Sequence, residues 1–132
     1  MYGLLMMGNY LEEILSGQKN DDARLYPTDK RGKIALVDSS TLKVHGTAEL
    51  VGVEETTYEY FVKWHQTGRF ANVPIAPYHE GKTCYSYRLE NVVRLVHPVR
   101  LNHERGKRMW IELTDSEVKS FGYQKTLFDI RM

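Results

Sequence analysis

Hydrophobic positions fall into short runs whose spacing separates strands from helices. Residues 1–7 are apolar almost throughout and predict an edge or barrel strand, closed by Gly8 and Asn9. Leu11, Ile14 and Leu15 then follow Tyr10 at helical spacing and stop at Gly17, a residue suited to the left-handed position that ends a helix. Asn9 and Glu12 stand three apart, the arrangement of a capping box. Residues 33–39 form an apolar run ended by Asp38, Ser39 and Ser40, which predict a turn. From Leu42 to Glu54 the pattern is that of a half-buried strand with Gly46 and Gly52 as bulges or corners, so the two runs predict an antiparallel hairpin.

Thr56 and Glu59 offer a second capping pair, with Tyr58, Phe61, Val62 and His65 on one helical stripe that Gly68 stops. Residues 69–83, with Pro74, Pro77 and Gly81, sustain no period and predict a loop. Strand patterning returns from Cys84 to Leu101, where Tyr85, Tyr87 and Leu89 alternate against Ser86, Arg88 and Glu90 and where Pro98 marks an edge or a break. Residues 107–113 predict a last core strand around Met109, Trp110, Ile111 and Leu113. Thr114 and Glu117 cap a short helix, and beyond Gly122 the residues Leu127, Phe128 and Ile130 form either a docked strand or a loose tail. The sum is an α+β domain: a small mixed β-barrel of about six strands with two or three flanking helices. It spans residues 1–132 as one domain, with 114–132 as a C-terminal extension.

Composition changes this picture little. Eighteen Lys and Arg against seventeen Asp and Glu give a net charge of +1, which by itself names neither nucleic acid nor membrane as a partner. Cys84 is the single cysteine, which excludes an internal disulfide and fits a reducing, cytoplasmic setting; it reads as a buried small hydrophobe. The opening apolar run is short and has no basic leader, so neither a secretory signal nor a membrane span is expected. His45, His65, His79, His97 and His103 form no helical pair with Glu and have no neighbouring Cys, so no metal is expected, and the absence of phosphate-loop and dinucleotide fingerprints predicts no cofactor.

Candidate chemistry concentrates in Gly17-Gln-Lys-Asn-Asp-Asp-Ala-Arg24. If residues 19–26 run extended, Asp22 and Arg24 share a face and Lys19 opposes Asp22, unless a bend near Asn20 and Asp21 re-aims the lysine. Lys19 and Arg24 can donate to a phosphate or carbonyl oxygen while Asp22 orients them or accepts from a base amino group. Alternatively Lys19 serves as general base or nucleophile with Asp22 as a second catalytic group. A third reading is an Asp22–Arg24 ion pair that only pins a strand. A second feature is the basic stripe Arg94, His97, Arg100, His103, Arg105, Lys107 and Arg108, broken by the single acid Glu104, which suits either an RNA backbone track or a solvated edge strand. Tyr26 is a candidate base-stacking residue, and Ser86 a candidate donor.

The Gly17–Arg24 segment resembles the Gly-x-Lys-x-x-Glu-x-Arg signature of the ASCH domains, a branch of the PUA-like superfamily, with Asp22 where the family has Glu. Tyr10–Gly17 is similar to the helix that precedes this motif, and Arg31–Val37 to the first barrel strand. Val44–Val53, Tyr85–Val92, Pro98–Leu101 and Gly106 before Trp110 resemble the later strands, so the likeness covers most of residues 2–113. The resemblance implies a cleft between barrel and helices that binds RNA or a modified nucleoside, lined by Lys19, Asp22, Arg24 and Tyr26, with Ser86 in the strand that borders it. It also implies an alternative, a metal-independent hydrolase: a ribonuclease, or an amidohydrolase on acylated nucleosides such as acetylcytidine. The amidohydrolase pattern has a lysine, a threonine three residues later and a distant glutamate. Here Lys19 matches, Asp22 replaces the threonine, and Glu54, Glu55 and Glu59 are candidates for the glutamate by order alone.

Overall fold

Residues 2–6 and 32–38 pair in parallel, so the chain between them must cross from one end of the sheet to the other. This computed structural model describes residues 1–59, 81–103 and 109–122. Its elements are β1 (Tyr2–Met6), α1 (Gly8–Leu15), β2 (Asp21–Arg24), β3 (Gly32–Asp38), β4 (Lys43–Thr57), β5 (Thr83–Arg100), β6 (Trp110–Glu112) and α2 (Asp115–Gly122). They form a six-stranded mixed sheet in the order β2-β5-β4-β3-β1-β6. β3, β4 and β5 are an antiparallel meander, and β6 pairs antiparallel with β1. The opening strand is therefore internal, flanked by β3 and β6.

Two cores explain why β1 and β3 read as unbroken apolar runs. Leu4, Met6, Ile34 and Leu36 point to one face with Ala48, Leu50, Tyr87 and Leu89, covered by Leu11 and Ile14 of α1. Leu5, Ala35 and Val37 point to the other with Leu42, Val44, Leu95 and Ile111, covered by Phe121 of α2. A strand buried on both faces has no polar alternation to show.

The long strands bend where the pattern placed glycines. Register slips between Val44 and Gly46 and between Leu50 and Gly52. At Gly46 a Cβ would stand 2.5 Å from the Val93 carbonyl oxygen and 2.7 Å from Leu15 Cδ2, so only glycine lets β4 approach β5 beneath α1. Among the described residues no ladder joins β2 to β6, and the expected closed barrel is replaced by a curled, open sheet. The end strands have four and three residues, which leaves little edge to pair. Side chains bridge the gap instead. Arg24 Nη2 donates to the Leu5 carbonyl at 2.8 Å, and the Tyr87 and Trp110 rings stack at 6.4 Å; the Tyr87 hydroxyl also donates to the Tyr26 carbonyl, tying β5 to the segment after β2.

Helix termini divide the expectations. At α2 the capping box forms in full: Glu117 N donates to Thr114 Oγ1 at 3.2 Å and Thr114 N to Glu117 Oε1 at 2.9 Å. At α1 it does not. The helix starts at Gly8 with Met7 as N-cap and no side-chain cap bond, so Asn9 lies inside the first turn. Glu12 instead receives both terminal nitrogens of Arg94, at 2.6 and 3.0 Å, a charge-assisted bidentate pair that outcompetes a backbone amide. Asp38 Oδ1 accepts from Ser40 N at 2.8 Å, the turn expected there. Of the helix expected from Tyr58 to His65, residues 60–65 lie outside the described residues, as do 69–80 of the expected loop and 123–132 of the tail.

Candidate functional site

The site begins with how α1 ends. Gly17, at φ +79°, turns the chain left-handed, and its amide donates to the Ile14 carbonyl at 3.1 Å. The turn brings Lys19 back under the helix, where its own amide donates to the Glu13 carbonyl at 3.1 Å. The Lys19 ammonium then lies 3.5 Å from Glu13 Oε2 and 5.0 Å from the Tyr10 ring centroid. Tyr10 and Glu13 stand three apart and so share a helix face. Lys19 therefore belongs to α1, on the far side of Asn20 from the strand that carries Asp22. The bend foreseen near Asn20 separates these charges: no hydrogen bond or ion pair joins Lys19 to Asp22 among the described residues.

Beyond the bend, β2 pairs with β5, setting Asp22 opposite Tyr87 and Arg24 opposite Tyr85 on the face that carries the first core. Arg24 Nε donates to Asp22 Oδ2, as their shared face predicts, and Nη2 continues to Leu5. Asp21 and Ser86 occupy the other face, and the Ser86 hydroxyl donates to Asp21 Oδ2 at 3.1 Å. Burial pushes the Tyr87 phenol up to about 12, opposed by the charge of Arg24 and aided by that of Asp22. Tyr26, just past β2, exposes 69% of its surface, as a stacking residue must, while its carbonyl is engaged by Tyr87.

Lys19, Asp21 and Asp22 are three of the four polar or charged residues that are buried among the described ones, each about 5% exposed. Burying three charges within four consecutive residues is expensive, and a surface loop has no reason to do it. The remaining acid candidates fare differently: Glu54, Glu55 and Glu59 are exposed.

The basic stripe is largely committed within the chain. Arg94 holds Glu12, Arg100 Nη1 donates to the Thr41 carbonyl at 3.1 Å, and His103 Nε2 lies 2.9 Å from Glu117 Oε1. His97 is exposed on the same strand, and Arg105, Lys107 and Arg108 lie outside the described residues. The Arg94 hydrogen bond holds the Glu12 carboxyl below the usual carboxylate range.

No protein-family model matches the sequence, and no curated protein matches it. Solved structures do. ASCH from Zymomonas mobilis superposes with a TM-score of 0.71 at 17% identity, covering 94% of this chain and 95% of that one. A serine-to-alanine variant of the same protein gives 0.68 at 18%, covering 90% and 92%. The chain has an ASCH-like fold. The N-terminal domain of Staphylothermus marinus McrB is also similar, with a TM-score of 0.62 at 11% identity over 94% of this chain and 93% of that one. Identities this low speak for the fold alone. Within the ASCH-like fold the motif is split between two structural units, Lys19 with α1 and Asp22–Arg24 with the sheet.

Two residues of this neighbourhood escaped the sequence reading. Glu13 carried no signal beyond its three-residue spacing from Tyr10. Asp21 was visible only as the first of an acidic doublet, and nothing in the sequence shows which of the two faces the core.

Proposed function

We propose that the chain binds RNA or a modified nucleoside at the segment from Lys19 to Arg24. The observation that carries this reading is the burial of Lys19, Asp21 and Asp22 within four consecutive residues. Stability alone does not favour such a cluster, since apolar residues of like volume would serve the fold at least as well. Lys19 supplies an ammonium that makes no hydrogen bond with any described residue, a donor for a base carbonyl or ring nitrogen. Exposed Tyr26 supplies a ring for stacking. Arg24 and Asp22 order the wall beside them. The resemblance of the motif to that of the ASCH domains supports the same reading. Contacts to an RNA backbone from the basic stripe would compete with the intramolecular partners that Arg94, Arg100 and His103 already have. The test is direct binding of ribonucleosides and of short single-stranded RNA to wild type and Lys19→Ala. Binding lost on substitution supports the reading, and unchanged binding defeats it.

One observation favours a second reading, metal-independent hydrolysis of RNA or of an acylated nucleoside. Lys19 has a carboxylate, Glu13, at 3.5 Å, the pairing a lysine base needs to pass on a proton. In this reading Glu13 takes the role that sequence order assigned to Asp22 or to Glu54, Glu55 and Glu59. Turnover of labelled RNA and of acetylcytidine by wild type and Lys19→Ala, with chelator present, separates it from simple binding.

A further inference from the structure

The charges around Lys19 are paired in two different ways. Asp22 and Arg24 are in direct hydrogen-bonding contact, and Arg24 spends its remaining reach on Leu5. Lys19 and Glu13 are held 3.5 Å apart without a hydrogen bond between them. Glu13 Oε2 is buried and has no hydrogen-bond partner, and the Lys19 ammonium beside it, on a residue only 5% exposed, makes no hydrogen bond with the described residues. An unsatisfied buried acceptor thus stands beside an ammonium with donors to spare. Leaving the carboxylate oxygen unsatisfied costs stability, so the arrangement suits a ligand that donates to it while accepting from the lysine.

The pairing of acceptor and donor selects the ligand. An acceptor next to a donor matches an edge that presents a donor next to an acceptor, as the hydrogen-bonding edges of nucleobases do; carboxylates accept from base amino groups and lysine donates to base oxygens and ring nitrogens. A phosphate group offers only acceptors and would set its charge against Glu13. The pairing of charges agrees with this: Lys19 faces Glu13, and Arg24 is committed to Asp22 and Leu5, so among the described residues no second cation is shown beside the lysine to hold a phosphate. A site this buried is also entered dry, and an uncharged base edge gives up far less hydration on entry than a phosphate does.

We propose that Glu13 is a ligand-binding residue which, with Lys19, reads the donor–acceptor edge of an uncharged base and excludes phosphate from the site. The inference rests on the binding function proposed above and adds to it a residue and a ligand class. Glu13 is held for this role by its own backbone: its carbonyl accepts from the Lys19 amide and from the Ser16 hydroxyl, which fixes the carboxylate and the ammonium to one turn.

The experiment measures binding of the four ribonucleosides to the full chain by calorimetry, with ribose 5-phosphate and inorganic phosphate as competitors. A nucleoside that binds and is displaced by neither competitor is the expected result; displacement by either overturns the inference. In Glu13→Gln the nucleoside is expected to bind about tenfold more weakly, the cost of one lost base contact, and inorganic phosphate to become a competitor. If Lys19→Ala abolishes binding while Glu13→Gln leaves it unchanged, the binding function stands and the role of Glu13 falls. If wild type binds neither nucleosides nor RNA, both fall together. The competition on wild type needs no variant, so it decides the matter even where Glu13→Gln does not fold.

Discussion

Arg24 Nη2 donates to the backbone carbonyl of Leu5 at 2.8 Å, joining β2, at one end of the sheet order, to β1, four places away. A sheet can make such a contact only by curling, and this bond, with the Tyr87–Trp110 stack, stands where a barrel would have a ladder. Arg24 thus fastens the fold as well as bordering the candidate site.

Arg24→Ala is expected to destabilise the protein by about 3 kcal/mol, because it strands the buried Asp22 carboxylate and removes the Leu5 bond. Pairing it with Asp22→Asn removes the stranded charge and should recover part of that loss. Urea unfolding of the single and double variants measures the coupling, and strict additivity would show the pair to be independent.

Replacing both Lys19 and Glu13 with residues of similar shape, Lys19→Met with Glu13→Gln, is expected to leave stability unchanged or raise it by about 1 kcal/mol while abolishing nucleoside binding. Stability from denaturant melts and binding from calorimetry, taken on the same sample, separate a charge buried for function from one buried for the fold.

Gly46→Ala should cost about 2 kcal/mol or more, since its Cβ would meet Val93 backbone and Leu15 with little room to yield. Gly17→Ala meets nothing within 4 Å and pays only for its left-handed φ of +79°, about 1 kcal/mol. Thermal melts that reversed this order would contradict the close approach of β4 to β5.

Glu117 loses hydration on burial, which raises its pKa, but bonds from Thr114, His103 and Asn102 prevail and hold the carboxyl below its ordinary value of 4.5. The folded state therefore binds this proton less tightly than the unfolded chain, and the stabilisation is complete above the ordinary value and fades as pH falls through the lowered one. Glu117→Gln should flatten that acid limb in a pH series of denaturant melts and loosen α2.

Tyr87 shows the opposite sign. Its phenol, pushed up to about 12, is held neutral by the fold, so its contribution is whole below the ordinary value of 10 and is lost as pH rises toward 12. Alkaline absorbance titration should show a late tyrosinate step that disappears in Tyr87→Phe.

Much of this was legible in the chain because it is local. The Thr114–Glu117 cap, the Asp38–Ser40 turn, the glycine that ends α1, the bulges at Gly46 and Gly52 and the Asp22–Arg24 pair all depend on neighbours within a few positions, where spacing sets geometry. The same logic misassigned Asn9 and Glu12: a competing partner, Arg94, lies 82 residues away and binds through charge as well as hydrogen bonds. The ASCH-like order of elements was likewise readable, since it is written in the succession of strand and helix patterns.

By itself the sequence determined the elements, their order and the eight-residue segment where charge gathers. Only the tertiary structure decided which charges meet. Lys19 turned to Glu13 rather than Asp22 because the chain bends after Gly17 and carries the lysine under α1. Among the described residues the end strands have four and three residues and no ladder joins them, which left Arg24 to reach Leu5. Both outcomes rest on distances between groups that no spacing along the chain can express, and on burial, which turns three ordinary charges into the most costly residues of the fold.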